Sequence, residues 1–367
     1  MINKQGGYTM KRLCLVIPSL QAGGMERVMS ELTGFFCQHF DLEVHLILYG
    51  RSPEIFYGVP ENLNVHKPVT IFNNKLRQIY AIGRLFFLRK TVNTIKPDSI
   101  ISFGEYWNSY VLLALYGSRI PIYISDRCSP QKKYSLLHTF IRRFLYPNAK
   151  GIIAQTEIAK QVYMKQFRHI NIKVIGNPIR KRNENSNERK RIVLTVGRLI
   201  SSKNHDKLIE VFCSIDKPNW KLVIIGGDAL KQDNMGRLKK LVSDLGAEKK
   251  VVLTGYTDDT DDYYRQSSIF AFMSESEGFP NVIGEAMSSG LPVVSFDCVA
   301  GPSEMITDGI DGYLVPVNNY SLFKEKLELL MDREHLRLQI GSRARDSINK
   351  FSIEKVGAQY YRFVCSQ

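Results

Sequence analysis

The sequence lacks the features that define several common classes of protein. Its six cysteines are scattered, with no C-x-x-C pair and no Cys/His cluster at zinc-ligand spacing. We therefore expect reduced thiols, as in a cytosolic protein. The longest apolar stretch, residues 110–117, is well short of the roughly 20 residues of a membrane-spanning helix. No secretory signal and no solenoid-length repeat is apparent, so the sequence argues against secreted, transmembrane and repeat proteins.

The composition that is present is that of an ordinary globular protein. Of the 367 residues, 44% are hydrophobic and 23% are charged. This length is too great for one ordinary core and suits two domains of roughly 100–200 residues each.

Positive charge is concentrated in the first half of the chain. Residues 1–178 contain 23 Lys and Arg against 10 Asp and Glu, whereas residues 179–367 contain 27 against 26. An anionic partner would therefore meet the first half, and nucleic acid and an anionic lipid surface are both candidates. Basic and large apolar residues interleave in residues 75–90 and 132–146. Such segments are typical of membrane-surface helices, but also of ordinary amphipathic helices with solvated basic faces.

Buried-strand patterns alternate with helical segments along the whole chain. Two sets of six candidate strands predict two α/β domains with parallel sheets; the strands are residues 13–17, 44–49, 99–103, 122–125, 151–155 and 173–175, then 191–197, 221–227, 251–255, 269–273, 292–296 and 312–317. The polar segment 180–190 predicts a linker. We expect domains at residues 1–178 and 179–350, followed by a last amphipathic helix at residues 351–367.

Two carboxylates, Glu277 and Glu285, lie eight residues apart in the segment EGFPNVIGE. Pro280 and Asn281 suit the start of a helix that ends before Gly290, with Glu277 in the preceding loop. A helix N-terminus after a strand is a natural phosphate site, and the carboxylates could hold sugar and ribose hydroxyls. Alternatively, Glu277 is an anion at the helix N-terminus and Glu285 a solvated helix residue.

A second motif, GRLISSKN, follows the strand that ends at Gly197. Its cations Arg198 and Lys203 could clamp a diphosphate without a metal, although a solvated basic turn has the same pattern. The segment DDTDD (258–262) contains a D-x-D pattern, whose carboxylates could hold a divalent metal. A polar loop and helix N-cap is the favoured interpretation of that segment, so we expect no divalent metal.

Four motifs together resemble the family-four retaining glycosyltransferases of the GT-B fold. They are AGGMER (22–27), Gly197-Arg198 with Lys203, residues 277–285, and FDC (296–298) with GPSE (301–304). Their order and spacing agree with the family over nearly the whole chain. The resemblance implies an α/β protein with two Rossmann-like domains facing across a cleft, and a C-terminal helix that crosses back to the first domain.

The resemblance also implies the roles of individual residues. Arg198 and Lys203 would stabilise the departing diphosphate, Glu285 would hold the ribose, and Glu277 would hold the donor sugar. The glycine loop at residues 23–24 lacks the G-x-G-x-x-G of a dinucleotide site and would lie near the phosphates and acceptor. The complete set of expected nucleotide-sugar-binding residues is Gly24, Gly197, Arg198, Lys203, Tyr256, Glu277, Gly278, Phe279, Pro280, Asn281, Val282 and Glu285.

Retention in this family implies front-face substitution, in which the leaving phosphate takes the acceptor proton and no enzymic nucleophile is needed. The sequence departs from many relatives, which carry a histidine after the fourth strand of the first domain. Arg127 stands there instead, and its role near the sugar is open. Asp126 is a candidate acceptor-side base or, equally, a capping or turn residue.

The expected function is transfer of a hexose or N-acetylhexosamine from a UDP-sugar to a polyprenyl-diphosphate-linked saccharide, in capsule, O-antigen or other glycan assembly. The basic first half suits an anionic carrier at the inner face of a bacterial plasma membrane, with the protein cytoplasmic and peripheral. The alternatives are a sugar-nucleotide epimerase of the same fold and a non-catalytic sugar-nucleotide-binding subunit. A nucleic-acid-binding module is disfavoured because no recognition motif is visible.

Overall fold

The computed structural model describes residues 10–51, 55–69, 77–182, 189–229, 232–257 and 259–365. The chain divides into two compact units. Unit 1 comprises Met1–Pro178 and Ile353–Gln367, and unit 2 comprises Ile179–Ser352. The expected domain boundaries follow residues 178 and 350, and the divisions in the structure follow residues 178 and 352.

Unit 1 contains a seven-stranded parallel sheet with the order β3-β2-β1-β4-β5-β6-β7. The strands are β1 (Lys11–Ile17), β2 (Leu42–Leu48), β3 (Asn64–His66), β4 (Ser99–Phe103), β5 (Ile122–Ser125), β6 (Gly151–Ala154) and β7 (Ile172–Val174). The helices within its first segment are α1 (Gly24–His39), α2 (Arg77–Ile95), α3 (Glu105–Ala114), α4 (Leu136–Leu145) and α5 (Glu157–Phe167).

Unit 2 repeats this design with a six-stranded parallel sheet of order β10-β9-β8-β11-β12-β13. Its strands are β8 (Ile192–Val196), β9 (Lys221–Ile225), β10 (Val251–Gly255), β11 (Ile269–Phe272), β12 (Val293–Phe296) and β13 (Tyr313–Val315). Its helices are α6 (His205–Cys213), α7 (Asn234–Asp244), α8 (Asp261–Gln266), α9 (Asn281–Ser288), α10 (Pro302–Met305), α11 (Tyr320–Asp332) and α12 (Glu334–Ile348).

The strands form where continuous apolar runs can be buried on both faces of a parallel sheet. β1 is buried from Leu13 to Ile17 and β4 along its whole length. All twelve predicted strands are present. The one that the sequence pattern missed is β3, an edge strand of three residues with no fully buried position.

The last helix, α13 (Ile353–Cys365), packs on unit 1, as the family resemblance implied. Gly357 faces Phe35 so closely that a Cβ there would lie 2.2 Å from the ring, and Tyr361 stacks on Phe40 with centroids 3.8 Å apart. The strong amphipathic pattern of the helix therefore reflects burial against α1 and β4.

In both sheets the strand order reverses beside the first strand, at β1/β4 in unit 1 and β8/β11 in unit 2. Open parallel sheets bind ligands at the carboxyl ends of the strands at such points. The motif loops of the sequence follow β1, β8 and β11, so the topology brings them to these edges.

Candidate active site

The two charged motifs of unit 2 lie on adjacent loops at the carboxyl edge of its sheet. Residues 197–204 follow β8 and residues 273–280 follow β11. The loops are joined by hydrogen bonds: the Glu275 amide donates to the Ser202 carbonyl at 2.9 Å, and the Asn204 side chain donates to the Met273 carbonyl at 3.2 Å. Residues 69 positions apart in sequence, Asn204 and Met273, thus belong to one surface.

Lys203 and Glu277 form an ion pair across these loops. Their side chains are only 16% and 14% exposed, so the pair is largely removed from water. The Lys203 ammonium also lies 5.1 Å from the centre of the Phe272 ring, within the range of a cation–π contact. The cation expected at the diphosphate and the carboxylate expected at the sugar therefore share one site.

A buried histidine forms a hydrogen bond with the backbone of the loop that carries Arg198. His205, 5% exposed, lies with Nε2 3.2 Å from the Arg198 carbonyl oxygen. Burial lowers the pKa of His205 to about 4, so its ring is neutral near pH 7 and Nε2–H is the donor. The Arg198 side chain itself is exposed.

The helix expected after Glu277 is α9, and it begins at Asn281 with Pro280 at the N-cap position. Gly301, at φ +135°, packs on Pro280; a Cβ there would lie 2.2 Å from the proline Cδ, so only glycine fits. Phe279 is buried and packs edge-to-face on Phe351, with centroids 5.3 Å apart. Of the expected sugar-binding residues here, Gly278, Phe279 and Pro280 are buried, and Asn281 and Val282 are partly exposed at the helix start.

Glu285 is held in place by two residues that the sequence analysis did not identify. The Tyr264 hydroxyl donates to Glu285 Oε2 at 3.1 Å, and Arg182 Nη2 lies 3.6 Å from the same oxygen. Arg182 also covers the Tyr264 ring, with its guanidinium carbon 4.3 Å from the ring centre. Glu285 is thus an oriented carboxylate with a 12% exposed side chain, rather than the solvated helix residue of the alternative interpretation.

Tyr256, one of the expected nucleotide-sugar-binding residues, lies just after β10 and is 64% exposed. The next segment carries the D-x-D pattern. Asp258 lies outside the described residues. The Asp259 side chain accepts from the Asp261 amide at 3.0 Å, and Asp261 and Asp262 form the first turn of α8. Within the described ranges, no group of three or more His, Cys, Asp and Glu is placed to hold a metal.

In unit 1 the glycine loop begins the first helix, with Gly23 at the N-cap and Gly24 as the first residue of α1. Tyr57 holds this loop: its hydroxyl accepts from the Gly23 amide at 3.0 Å and donates to the Gly23 carbonyl at 2.9 Å. A Cβ at Gly23 would lie 2.2 Å from the Glu26 carboxylate, so the glycine leaves room for that side chain.

Asp126 is buried and fully engaged. It forms an ion pair with Arg142 and accepts from the Tyr146 hydroxyl at 2.7 Å and the Asn108 amide at 3.0 Å. Both carboxylate oxygens therefore tie β5 to α3 and α4. This geometry favours a structural role for Asp126 over an acceptor-side base.

Arg127 connects the end of β5 to the last helix. Its guanidinium lies 3.4 Å from the centre of the Phe103 ring, donates to the Tyr360 hydroxyl of α13 at 2.8 Å, and donates to the Asn177 side chain. Burial lowers the pKa of Arg127 from its usual value. The side chain thus anchors α13 and the segment that leads out of unit 1.

Two family models and a curated relative match this chain over most of its length. A family model described as Glycosyltransferase Family 4 matches residues 22–181, and one described as Glycosyl transferases group 1 matches residues 176–347. The amylovoran biosynthesis glycosyltransferase AmsD of Erwinia amylovora is 30% identical over 340 residues, which cover 89% of this chain and 92% of AmsD.

Two further similarities bear on the fold and the class of reaction. The Campylobacter jejuni GalNAc-α-(1→4)-GalNAc-α-(1→3)-diNAcBac-PP-undecaprenol α-1,4-N-acetyl-D-galactosaminyltransferase is 26% identical, covering 97% of this chain and 98% of that enzyme. The crystal structure of Anabaena HepE in complex with UDP has a TM-score of 0.79 at 18% identity, covering 96% of this chain and 99% of HepE, a likeness of fold alone. The chain therefore belongs to the family-four glycosyltransferases, and its two parallel-sheet units have the GT-B fold.

Proposed function

We propose that this glycosyltransferase transfers a hexose or N-acetylhexosamine, with retention, from a UDP-sugar to a polyprenyl-diphosphate-linked saccharide. The observation that carries the proposal is the Lys203–Glu277 pair at the carboxyl edge of the unit 2 sheet, on the loop that also carries the exposed Arg198. This arrangement combines a cationic diphosphate site with a carboxylate that accepts hydrogen bonds from sugar hydroxyls. The HepE structure is described as a complex with UDP, which supports the proposal that the donor nucleotide of this protein carries uracil.

In the donor complex, Arg198 and Lys203 bind the diphosphate, Glu285 binds the ribose hydroxyls, and Glu277 binds the sugar. The start of α9 adds backbone amides and the positive end of the helix dipole. Tyr264 and Arg182 keep Glu285 in one orientation, so less conformational freedom is lost when the ribose binds. Tyr256 packs near the base.

During transfer, the bond between the anomeric carbon and the UDP oxygen breaks as the acceptor oxygen attacks from the same face. The acceptor proton passes to the departing phosphate oxygen, which becomes more basic as that bond breaks. Arg198 and Lys203 stabilise the charge that develops on the diphosphate. This route requires no nucleophile from the protein, and Asp126 and Arg127 act only through the structure of unit 1.

The acceptor part of the proposal rests on the relatives and on an exposed face of unit 1. The Campylobacter enzyme is named for an undecaprenol-diphosphate-linked saccharide. In unit 1, α2 and α4 expose large apolar side chains between basic residues; the exposed apolar residues are Ile79, Ile82, Phe86, Leu136, Leu137, Phe140 and Phe144. Across the described ranges, no helix is both long and apolar enough to span a bilayer. We propose peripheral binding at the inner face of a plasma membrane, where anionic lipids attract Lys and Arg.

The donor proposal is tested by measuring UDP release and sugar transfer with a panel of UDP-, GDP- and ADP-sugars. We expect turnover of UDP-sugars, with the α-configuration of the donor retained in the product by NMR. Turnover of GDP- or ADP-sugars alone, or inversion at the anomeric carbon, would contradict the corresponding part of the proposal.

We also propose that transfer needs no divalent metal, because Arg198 and Lys203 would neutralise the diphosphate in its place. Activity measured after treatment with EDTA, and again after adding Mg²⁺ or Mn²⁺, should stay unchanged. Loss of activity in EDTA that either cation restores would show that the diphosphate is neutralised by a metal instead.

A further inference from the structure

Unit 2 contains a cavity of about 720 Å³ between the end of α12 and residues 179–182. Its volume falls in the range of roughly 300–1,000 Å³ typical of small-molecule sites. Arg198, Lys203 and Glu277 do not line this cavity, so it is distinct from the proposed diphosphate site. Its polar lining residues include Lys181, Arg182, Ser288, Arg345, Asp346 and Asn349.

Hydrogen bonds fix the wall of the cavity that residues 179–182 form. The Ile179 amide donates to the Phe351 carbonyl at 2.8 Å. The Ser288 hydroxyl, at the end of α9, donates to the Arg180 carbonyl at 2.9 Å and accepts from the Arg182 amide at 3.2 Å. The backbone of this wall is therefore held in one position before a ligand binds, so less conformational freedom is lost on binding.

The Arg182 guanidinium has a donor that the protein leaves unused. Its Nη1 pairs with Asp261, and its Nη2 lies 3.6 Å from Glu285 Oε2. Its Nε is buried and has no hydrogen-bond partner among the described residues. Leaving a buried charged group's donor without a partner is unfavourable. An anionic acceptor in the cavity would supply this partner.

Two further cations line the cavity. Lys181 is exposed and forms no ion pair with the residues that the structure describes. Arg345 lies against the end of α9, since a Cβ at Gly290 would be 2.4 Å from its Nη2. Arginine offers a phosphate several donors in a fixed fork, and lysine offers it a point charge. Together with Arg182 Nε, these cations favour a phosphate as the anion.

Acceptors of hydrogen bonds lie beside the cations and limit the ligand further. Asp346 and Asn349 are exposed residues one helical turn apart, and both line the cavity. A carboxylate accepts hydrogen bonds from hydroxyls but repels a second phosphate. The lining therefore suits a molecule that carries a phosphate together with several hydroxyls. A hexose phosphate has both kinds of group and is small enough for the cavity.

We infer that this cavity is a regulatory site for a hexose phosphate, which lowers the affinity for the donor through Arg182. The phosphate accepts from Arg182 Nε and draws the guanidinium away from Glu285, because three anions then compete for one cation. Glu285 thereby loses a group that orients it for the ribose. The effect on the donor rests on the proposed function, whereas binding of the hexose phosphate does not.

The binding test is calorimetric titration of glucose 6-phosphate into protein saturated with UDP, so that the cations of the donor site are occupied. We compare the wild type with Lys181→Gln and with the control Arg343→Gln. Arg343 is an exposed cation of α12 that does not line the cavity, so both variants lose one positive charge. Titrations of inorganic phosphate and of glucose into the wild type separate the two parts of the ligand.

The wild type and Arg343→Gln should bind one glucose 6-phosphate with equal affinity, and Lys181→Gln should bind it at least fivefold more weakly. Inorganic phosphate should bind more weakly than glucose 6-phosphate, and glucose should not bind measurably.

Kinetics test the coupling to the donor. With rising glucose 6-phosphate, the KM for the UDP-sugar should increase in the wild type and in Arg343→Gln and level off at about fivefold, with kcat unchanged. The same concentrations should change the KM of Lys181→Gln much less. Simple competition at the donor site would instead raise the KM in proportion to concentration, without a plateau and equally in all three proteins.

The inference is overturned if glucose 6-phosphate does not bind the wild type, if Lys181→Gln and Arg343→Gln bind it equally, or if the KM rises without a plateau or not at all. Inorganic phosphate that binds as tightly as glucose 6-phosphate would overturn the assignment to a hexose. If the wild type does not bind UDP, the proposed function is contradicted instead, and titration of the UDP-free protein still tests the cavity with the same two variants.

Discussion

The two units share one topology but differ in what lies at the carboxyl edge of the sheet. In unit 2 this edge carries opposite charges held in partly buried pairs, Lys203 with Glu277 and Arg182 with Glu285. In unit 1 the corresponding edge carries a cavity lined by tyrosine and tryptophan. Both sheets therefore bring loops to the same edge, and the side chains of those loops give each unit a different surface, with charge pairs in unit 2 and aromatic rings in unit 1.

The buried charges of unit 1 sharpen this contrast. Asp126 and Arg127 both follow β5. The Asp126 carboxylate pairs with Arg142 and accepts from Tyr146, and the Arg127 guanidinium donates to Asn177 and Tyr360. In unit 2 the paired side chains keep 11–16% of their surface exposed, whereas Arg142 and Asp126 keep 4% and 1%. A charge at a strand end thus indicates a binding site only when the fold leaves it within reach of solvent.

The largest effect should come from breaking the charge pairing of unit 2. Lys203→Ala should lower the rate of sugar transfer by about 10²–10³, because the developing diphosphate charge loses one preorganised cation. Lys207→Ala is the matched control, since Lys207 lies four residues along the chain and pairs on the surface with Glu210. Initial rates with a saturating UDP-sugar measure the effect. Equal transfer rates for Lys203→Ala and Lys207→Ala would contradict the proposed role of Lys203 at the diphosphate.

Acid should weaken unit 2 through His205. The pKa of His205 falls from its usual 6.5 to about 4 in the folded protein, so between these values only the unfolded chain binds a proton there. Stability is therefore lost as the pH falls through this window, by up to about 3 kcal/mol at pH 4. His205→Gln should remove this part of the pH dependence, as measured by urea unfolding at pH 7 and pH 4.

His335→Gln is the control for that experiment, because His335 is exposed on α12. The control should keep the full acid sensitivity of the wild type. If His205→Gln also keeps it, the buried histidine does not hold the Arg198 loop in the way the hydrogen bond indicates.

The next largest effect concerns the exposed apolar side chains of α4 in unit 1. Replacing Leu137 and Phe140 together by Asp should weaken binding to vesicles of phosphatidylglycerol and phosphatidylcholine at least tenfold, because buried apolar area and charge attraction are both reduced. Leu338→Asp is the control, because Leu338 is an apolar residue of unit 2 that is 59% exposed, against 70% for Leu137 and 69% for Phe140. Sedimentation with vesicles measures both. Binding to purely neutral vesicles as strong as to anionic ones would contradict the proposed role of the basic residues.

The smallest effect concerns the residues that hold Glu285. Tyr264→Phe removes one hydrogen bond to that carboxylate and should raise the KM for the UDP-sugar about fivefold, with kcat nearly unchanged. Tyr263→Phe on the same helix is the control. A fall in kcat without a change in KM would mean that Tyr264 acts on the chemical step rather than on ribose binding.

Most of the fold could be predicted from the sequence because parallel strands buried on both faces are continuous apolar runs. The strand β3 could not, because Asn64–His66 is short and only partly buried, so pairing with β2 rather than hydrophobic pattern makes it a strand. The return of α13 to unit 1 came from the family resemblance. The amphipathic pattern alone does not say which surface covers a helix.

The candidate site also contains residues that the sequence predicted and residues that it did not. Motif spacing placed Lys203, Glu277 and Glu285 at the edge of the unit 2 sheet, because loops after parallel strands meet there. Arg182 and Tyr264 were missed because their contacts with Glu285 join residues far apart in sequence. Near Arg182 the sequence shows a cluster of basic residues after Pro178, and this pattern is typical of a linker as well as of a binding site.

The most direct test of the donor site is calorimetric titration of UDP into the wild type, Lys203→Ala and Glu277→Ala, with sugar transfer measured for the same proteins. Lys203→Ala should weaken UDP binding and transfer together. Glu277→Ala should bind UDP at least as tightly as the wild type, because Lys203 loses its competing partner, yet fail to transfer sugar. If Glu277→Ala weakens UDP as much as Lys203→Ala does, or if neither changes binding and transfer, the division of roles between the cation and the carboxylate is contradicted.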